Sequence, residues 1–318
     1  AWMTLLDRAK LNADDMVRPI LDDTELALPE LTSLMSEDVA GQEFKSLVYK
    51  TPLSVRYKKH GVGIDPVKST PELQRFECHY LPGLIEIPES IADGATGGAA
   101  RALANEMKRV LAAAFAHACR CLYYGTVIDA DAPPGLLEVV LSSKVISAGG
   151  SSGTSSVIAV RSGENDVSWI FGNGGRIQAG DPQYGTLIDG NGKKLPGWMQ
   201  WMKGYIGHCI RSPRSVAVIN NVDATHPVTD QMLLDLHGKF KNAAPPTHIF
   251  MTKAAAISYG KSRITDYNKD AQVPEFFGGV PGTKIPILIT DALDLDEEDG
   301  TTAAELEAQT GGASFITP

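Results

Sequence analysis

Residues 94–126 read GATGGAARALANEMKRVLAAAFAHACRCLYYGT, and no other stretch restricts the folding of this chain as much. Ala, Leu, Glu, Met, Lys and Arg fill it, Gly97 and Gly98 precede it, and Gly125 follows, so helix propensity and C-terminal capping predict one helix over 99–124. At 1.5 Å per residue that helix is roughly 39 Å long. Leu103, Met107, Val110 or Leu111, Ala114, Ala118 and Leu122 recur at steps of three and four and form one apolar stripe. The alanines let other backbone approach closely. The segment is therefore a strut against which a sheet can lie.

Before the strut, residues 44–57 (with Leu47, Val48, Tyr49, Val55 and Tyr57) and 73–84 (with Phe76, Cys78 and Tyr80 alternating against Glu77, His79 and Leu81) have strand character. Gly61, Gly63 and Asp65-Pro66 between them mark a turn-rich tip. Together they predict an extended hairpin. Two short helical patches precede it, 5–21 and 26–35, broken by Pro19 and Pro29, and they read as an arm rather than a domain.

Beyond Gly125 the texture changes to short β-prone runs between Gly, Ser, Asn and Pro. Strands are expected at 139–146, at 157–160 paired with 167–171, at 215–220, at 247–251 and at 284–290, where Pro286 favours an edge or a strand start. AGGSSGTSS reads as a flexible loop, and the glycine-rich segment 171–176 as a plain turn, since it has neither GxGxxG spacing nor a P-loop Lys-Ser/Thr. Gly190 to Lys193 is another turn. Trp198, Trp201 and Tyr205 read as packing residues. Helices are expected after Pro227, with Met232, Leu233, Leu236 and Phe240 on one side, and after Thr252, which suits an N-cap. No repeat of twenty to fifty residues is present.

The chain has 318 residues, 43% of them hydrophobic, enough to bury a core in one large domain or several subdomains. Its longest apolar run, 111–116, is too short to span a bilayer, and AWMTLLDRAK lacks a secretory signal, so no membrane association is expected. Ala1 and the strand-like ending ASFITP lead us to expect that terminal residues lie outside this sequence. The four cysteines, Cys78, Cys119, Cys121 and Cys209, read as buried thiols in a reducing cytoplasm. A net charge of −9 argues against binding nucleic acid by phosphate neutralisation. The basic groups 56–60 and 239–241 are short, and read as solvated faces or as partners of acidic groups on neighbouring molecules.

Motifs for chemistry are weak. GSSGTSS approaches GxSxG but no helix is expected after it, and the seven histidines show no ligand spacing such as HExxH. The acidic run 291–299 fails as a calcium loop because Asp299 stands where the sharp turn needs glycine. The expectation is no enzyme, no cofactor and no metal. A hydrolase site among Asp181, His208 and the acidic loop is the alternative from another class.

An arm, an extended hairpin, a long Ala-rich helix, a Gly-rich α/β region and a returning strand follow one another in an order that resembles the major capsid proteins of tailed phages. These have the Hong Kong 97-type (HK97-like) fold. LLDRAKLNADDMVRPILDD at 5–23 looks like the opening of the podovirus-like capsid family related to phage epsilon-fifteen. NNVDATHPVTDQMLLDLHGKFKNAAPPTHIFMTKAAAISYG at 220–260 is similar to that family's helix–strand–helix segment. The likeness spans most of 4–293.

The resemblance implies an α+β protein with an N-terminal arm (1–43), an extended loop (44–84), a peripheral domain with a spine helix (85–125) and an axial domain (126–283). Residues 284–318 would return to the peripheral sheet and form the tail. It implies self-assembly into homo-hexamers and homo-pentamers of an icosahedral head that encloses double-stranded DNA without sequence-specific binding. Scaffold, portal and decoration or cement proteins would be further partners, and the subunit would be made in the host cytoplasm. Intersubunit contacts are expected from Tyr57, Lys58, Lys59, Phe76, Glu77 and Tyr80, because a hairpin this long cannot bury both faces within its own subunit. An encapsulin-like compartment shell is the nearest alternative. A head–tail connector is a third. No feature marks a reactive pair for an intersubunit cross-link.

Overall fold

In the computed structural model the strut is one helix of 27 residues, Gly98–Tyr124. It stops at Gly125, whose φ of +52° is open to glycine and strained for any L side chain. The structure describes residues 28–48, 57–60, 72–94, 98–151, 154–241, 244–266 and 285–294. The expected helical patch at 5–21, the hairpin tip at 61–66 and most of the C-terminal tail lie outside them.

In chain order the elements are α1 (Pro29–Ser33), β1 (Ser36–Asp38), β2 (Glu43–Val48), β3 (Glu72–Glu77), β4 (His79–Pro88), α2 (Glu89–Gly94) and α3, the long helix. Then come α4 (Leu136–Val139), β5 (Val145–Ser147), β6 (Ser155–Val160), β7 (Val167–Phe171), β8 (Gln178–Ala179), β9 (Gln183–Ile188) and β10 (Lys194–Ile210). The chain continues through β11 (Val216–Val222), α5 (Asp230–Gly238), β12 (His248–Met251), α6 (Lys253–Asp266) and β13 (Ile287–Ile289). No described helix is long and apolar enough to cross a membrane.

Two sheets and one hairpin organise these elements. The first sheet runs β1-β7-β10-β4, with β8 and β9 also on β10. β10, 17 residues long, is its axis: β4 covers one edge, while β9, β8 and β7 share the other in succession. The second runs β13-β12-β6-β11-β5. Its central strands are buried on both faces. Ile158, Val160, Val216, Val218 and Phe250 point into the main core with α3. The alternate residues Val157, Ala159, Ala217, Ile219, Ile249 and Met251 meet α5 and α6 in a second core. Among the described residues β2 and β3 pair only with each other.

Several expectations change. The 73–84 run breaks at Cys78: its first half pairs with β2 and its second with β10, because the Cys78 side chain is buried between the hairpin and the first sheet and its N–H donates to Gln42 O at 2.8 Å. The runs 157–160 and 167–171 do not pair; they enter different sheets, joined by a link in which Arg161 pairs with Asp166. At 139–146 a strand is expected, but α4 buries Leu136, Leu137 and Val139, and the strand itself is Val145–Ser147. Ser155 and Ser156, read as loop, are buried in β6.

The C-terminal strand was expected in the peripheral sheet. It lies instead at the edge of the second sheet, parallel to β12, with Ile249 N–H donating to Pro286 O. The chain then reaches α3, where Asp294 accepts from the Arg120 guanidinium at 2.9 and 3.1 Å and its N–H donates to the Tyr124 hydroxyl. Asp294 is thus tied to α3 while its side chain stays partly exposed. Residues 28–39 are also more than an arm: Leu28, Leu31 and Leu34 are buried in the main core, and β1 pairs with β7.

Candidate assembly surfaces

Register puts Phe44 opposite Phe76 at the root of the hairpin. Both rings pack on a small core of Val39, Cys78, Ile170 and Cys209, which joins the hairpin to β7 and β10. The Arg211 guanidinium sits 4.7 Å from the Phe44 ring and 2.7 Å from the Glu37 carboxylate, with Arg211 only 5% exposed. A cation is held there because a carboxylate and an aromatic face replace the water it has lost. On the other face, Glu43 lies directly across from Glu77 and Lys45 across from Arg75. Like charges so placed repel. Glu43 offsets this by lying 3.8 Å from Lys45 and 3.9 Å from Arg75.

The expected contact residues are distributed unevenly. Tyr57 is fully exposed and Lys58 and Lys59 are exposed. Phe76 is half-buried against its own subunit, so it anchors the hairpin instead of facing outward. Glu77 is exposed beside it. Tyr80 stands half-exposed on the outer face of β4, its ring 5.4 Å from that of Tyr205.

Sequence reasoning missed the rest of this outer face. Leu84 lies across from Trp201 on it, and both are exposed, 63% and 40%. Behind them Ile85, Ile87 and Met202 face the core. The available signal was the two-residue spacing of Met199, Trp201, Lys203 and Tyr205, but Gly204 and the apolar residues between them on the core side hide the alternation.

A cavity of about 310 Å³ lies between α3, β4 and the loop 129–133, lined in part by His79, His117, Cys121, Asp129 and His208. His117 Nε2 is 3.2 Å from Asp129 and 3.5 Å from the Cys121 sulfur. Burial pushes the His208 imidazole down to about 4, so it is neutral near pH 7, and its Nε2–H donates to Pro134 O at 2.8 Å. All four cysteines are free and buried. Burial raises Cys78 and Cys209 to about 12 and Cys121 to about 11, so these thiols hold their protons and are poor nucleophiles. Among the described residues no three His, Cys, Asp or Glu side chains are placed to hold a metal ion. Asp181, the partner suggested for His208, is exposed and does not line this cavity.

The family model of major capsid protein GP7 matches residues 17–273. No curated protein matches in sequence. Among solved structures, a chain of the near-atomic structure of bacteriophage Epsilon15 is similar with a TM-score of 0.61 at 18% identity, over 82% of this chain and 86% of that one. The capsid of bacteriophage JBD30 is similar at a TM-score of 0.49 and 8% identity, over 85% and 92%. The SrpI encapsulin of Synechococcus elongatus gives 0.42 and 9%, over 60% and 86%.

The Epsilon15 likeness shows the fold, an α+β fold of the HK97-like capsid type. The GP7 match takes in both sheets except β13, the hairpin and the long helix, and favours the capsid reading over the encapsulin one. This chain belongs to the major capsid protein GP7 family and is the capsid protein of a tailed phage, a structural component of the virion that assembles with further copies into shells.

Proposed function

We propose that copies of this chain form hexamers and pentamers that close into an icosahedral head around double-stranded DNA. The subunit holds that DNA without sequence-specific contacts and catalyses no reaction. The observation that carries this reading is the β2–β3 hairpin, whose strands, among the described residues, pair only with each other and pack on their own subunit at the root. A two-stranded hairpin is marginal alone in water, so the surface completing it belongs to another copy. Residues 44–84 would then act as the extended loop, 85–125 as the peripheral domain and 126–283 as the axial domain. Tyr57, Lys58, Lys59, Glu77 and Tyr80 would supply contacts between subunits. Synthesis in the host cytoplasm, and scaffold, portal and cement partners, belong to the same proposal.

Expression of the chain, with scaffold if needed, and electron microscopy of the particles test it. Closed shells with five- and six-fold vertices are expected, and a soluble subunit that never closes would refute it. Tyr57→Asp should lower particle yield at least tenfold and leave the melting of the free subunit unchanged, since the Tyr57 side chain is wholly exposed.

A further inference from the structure

One end of the second sheet gathers positive charge. The C-terminus of β6 and the N-termini of β5, β11 and β12 meet there, since Val160 lies across from both Val216 and His248 and Val145 lies across from Val218. Hydrogen bonds tie the surrounding loops together. Lys144 Nζ donates to Arg214 O, Lys239 Nζ to Ser143 O at 2.9 Å, and Arg161 Nη1 to Ala244 O at 3.4 Å. Four cations, Lys144, Arg161, Arg214 and Lys239, are thereby concentrated at one site. Asp166 pairs with Arg161, and it is the carboxylate the described residues place against the group.

Lys144 is only 7% exposed, with its ammonium 4.3 Å from the centre of the Phe240 ring and a backbone carbonyl as acceptor. Burial, and then Arg161, Arg214 and Lys239, push it down to about 8. The repulsion among these cations is a cost beyond that of burying Lys144. An anionic partner would remove that cost.

We infer that this end of the second sheet is a docking surface for an acidic face of a second copy of the chain, with Arg214 and Lys239 as its exposed contacts. The inference rests on the shell reading and assigns one of its contacts. The observations favour a second copy over nucleic acid. Arg214 and Lys239 are exposed residues, whereas Lys144 is buried on a backbone carbonyl and Arg161 is paired with Asp166. Two exposed cations neutralise few phosphates, and duplex binding is further opposed by the overall negative charge. Every copy carries the same net charge of −9, and a contact between two different faces gives a ring when its rotation closes.

The test compares wild type with Arg214→Glu/Lys239→Glu and with the conservative Arg214→Lys/Lys239→Arg. Particle yield is read between 0.1 and 1 M NaCl, where the Debye length falls from about 10 to about 3 Å. Wild-type yield should fall as salt rises, the conservative variant should follow it, and the charge-reversed variant should give at least tenfold fewer particles at 0.1 M with an unchanged melt. If reversal lowers the melt, Arg214→Gln/Lys239→Gln should show the same loss on a folded subunit. Equal yields from wild type and the reversed variant would overturn the inference alone, whereas absence of particles from wild type would sink the shell reading itself. Tight binding of a duplex oligonucleotide by the wild-type subunit, lost on reversal while particle yield holds, would assign the patch to nucleic acid and also overturn it.

Discussion

Replacing Arg211 by Met keeps most of its volume but leaves the Glu37 carboxylate, whose side chain is 20% exposed, without the cation 2.7 Å away. Breaking a buried pair by removing one partner costs about 3–5 kcal/mol. The partial exposure of Glu37 and the apolar Met against Phe44 put Arg211→Met near the lower end, about 3 kcal/mol. Glu37→Met should cost about as much, because the guanidinium it strands is the more buried partner. The double variant puts two apolar side chains beside Phe44 and Phe76 and should lose no more than about 1 kcal/mol, since a buried pair replaced by hydrophobes of similar size is often near neutral. The coupling in the double-mutant cycle is therefore at least about 5 kcal/mol by the same reasoning, large enough to measure in urea unfolding of the free subunit. Hydrogen exchange should locate the loss: amides of β2 and β3 in either single variant should exchange faster while those of α3 stay protected. Equal and additive losses, with no recovery in the double variant, would show that the ion pair does not hold the hairpin root.

Two further outcomes follow from buried groups near the long helix. Gly125→Ala places a Cβ 2.1 Å from Gly135 N, at a φ of +52°, so left-handed strain of roughly 1–2 kcal/mol adds to a clash with backbone that cannot rotate away. The free subunit should lose at least roughly 3 kcal/mol in urea unfolding, and an unchanged midpoint would contradict the geometry. The carboxyl of Glu30, buried and accepting from the Tyr123 hydroxyl at 2.7 Å, is raised above 4.5, by burial first and also by Asp291, against the hydrogen bonds from Thr290 and Tyr123. A carboxyl raised on folding holds its proton more tightly in the native state, so its contribution to stability falls as pH climbs from 4.5 through the raised value and is flat outside that window. Glu30→Gln should remove this slope and make the subunit more stable than wild type at pH 7, as read by melts from pH 4 to 8.

What could be read along the chain was what neighbouring residues decide together. The long helix, expected at 99–124 and found as Gly98–Tyr124, depends on Ala-rich local propensity and a glycine stop. The helix after Thr252 starts where a side-chain cap is available, with Ala255 N–H donating to Thr252 Oγ1 at 3.1 Å. The strands Val216–Val222 and His248–Met251 were equally visible as short apolar runs between turn signals. The order of such parts was enough to carry the family resemblance.

Tertiary structure alone decided which strands are partners and which side chains remain outside. β6 and β7 are buried on both faces, so no two-residue alternation tells which sheet each joins. β10 carries glycines that read as breaks, yet at Gly207 an added Cβ would meet Glu77 O at 2.6 Å: the glycine is there to let another backbone pass. Phe76 looked like a contact for a neighbour until Phe44 and the small core claimed it, while Leu84 and Trp201 proved to face outward. The four cations at the end of the second sheet come from segments up to 95 residues apart, Lys144 to Lys239, and only the pairing of β5, β6, β11 and β12 brings them together. Local propensity acts over a few residues; burial and charge act across space, and their outcome is written in no single segment.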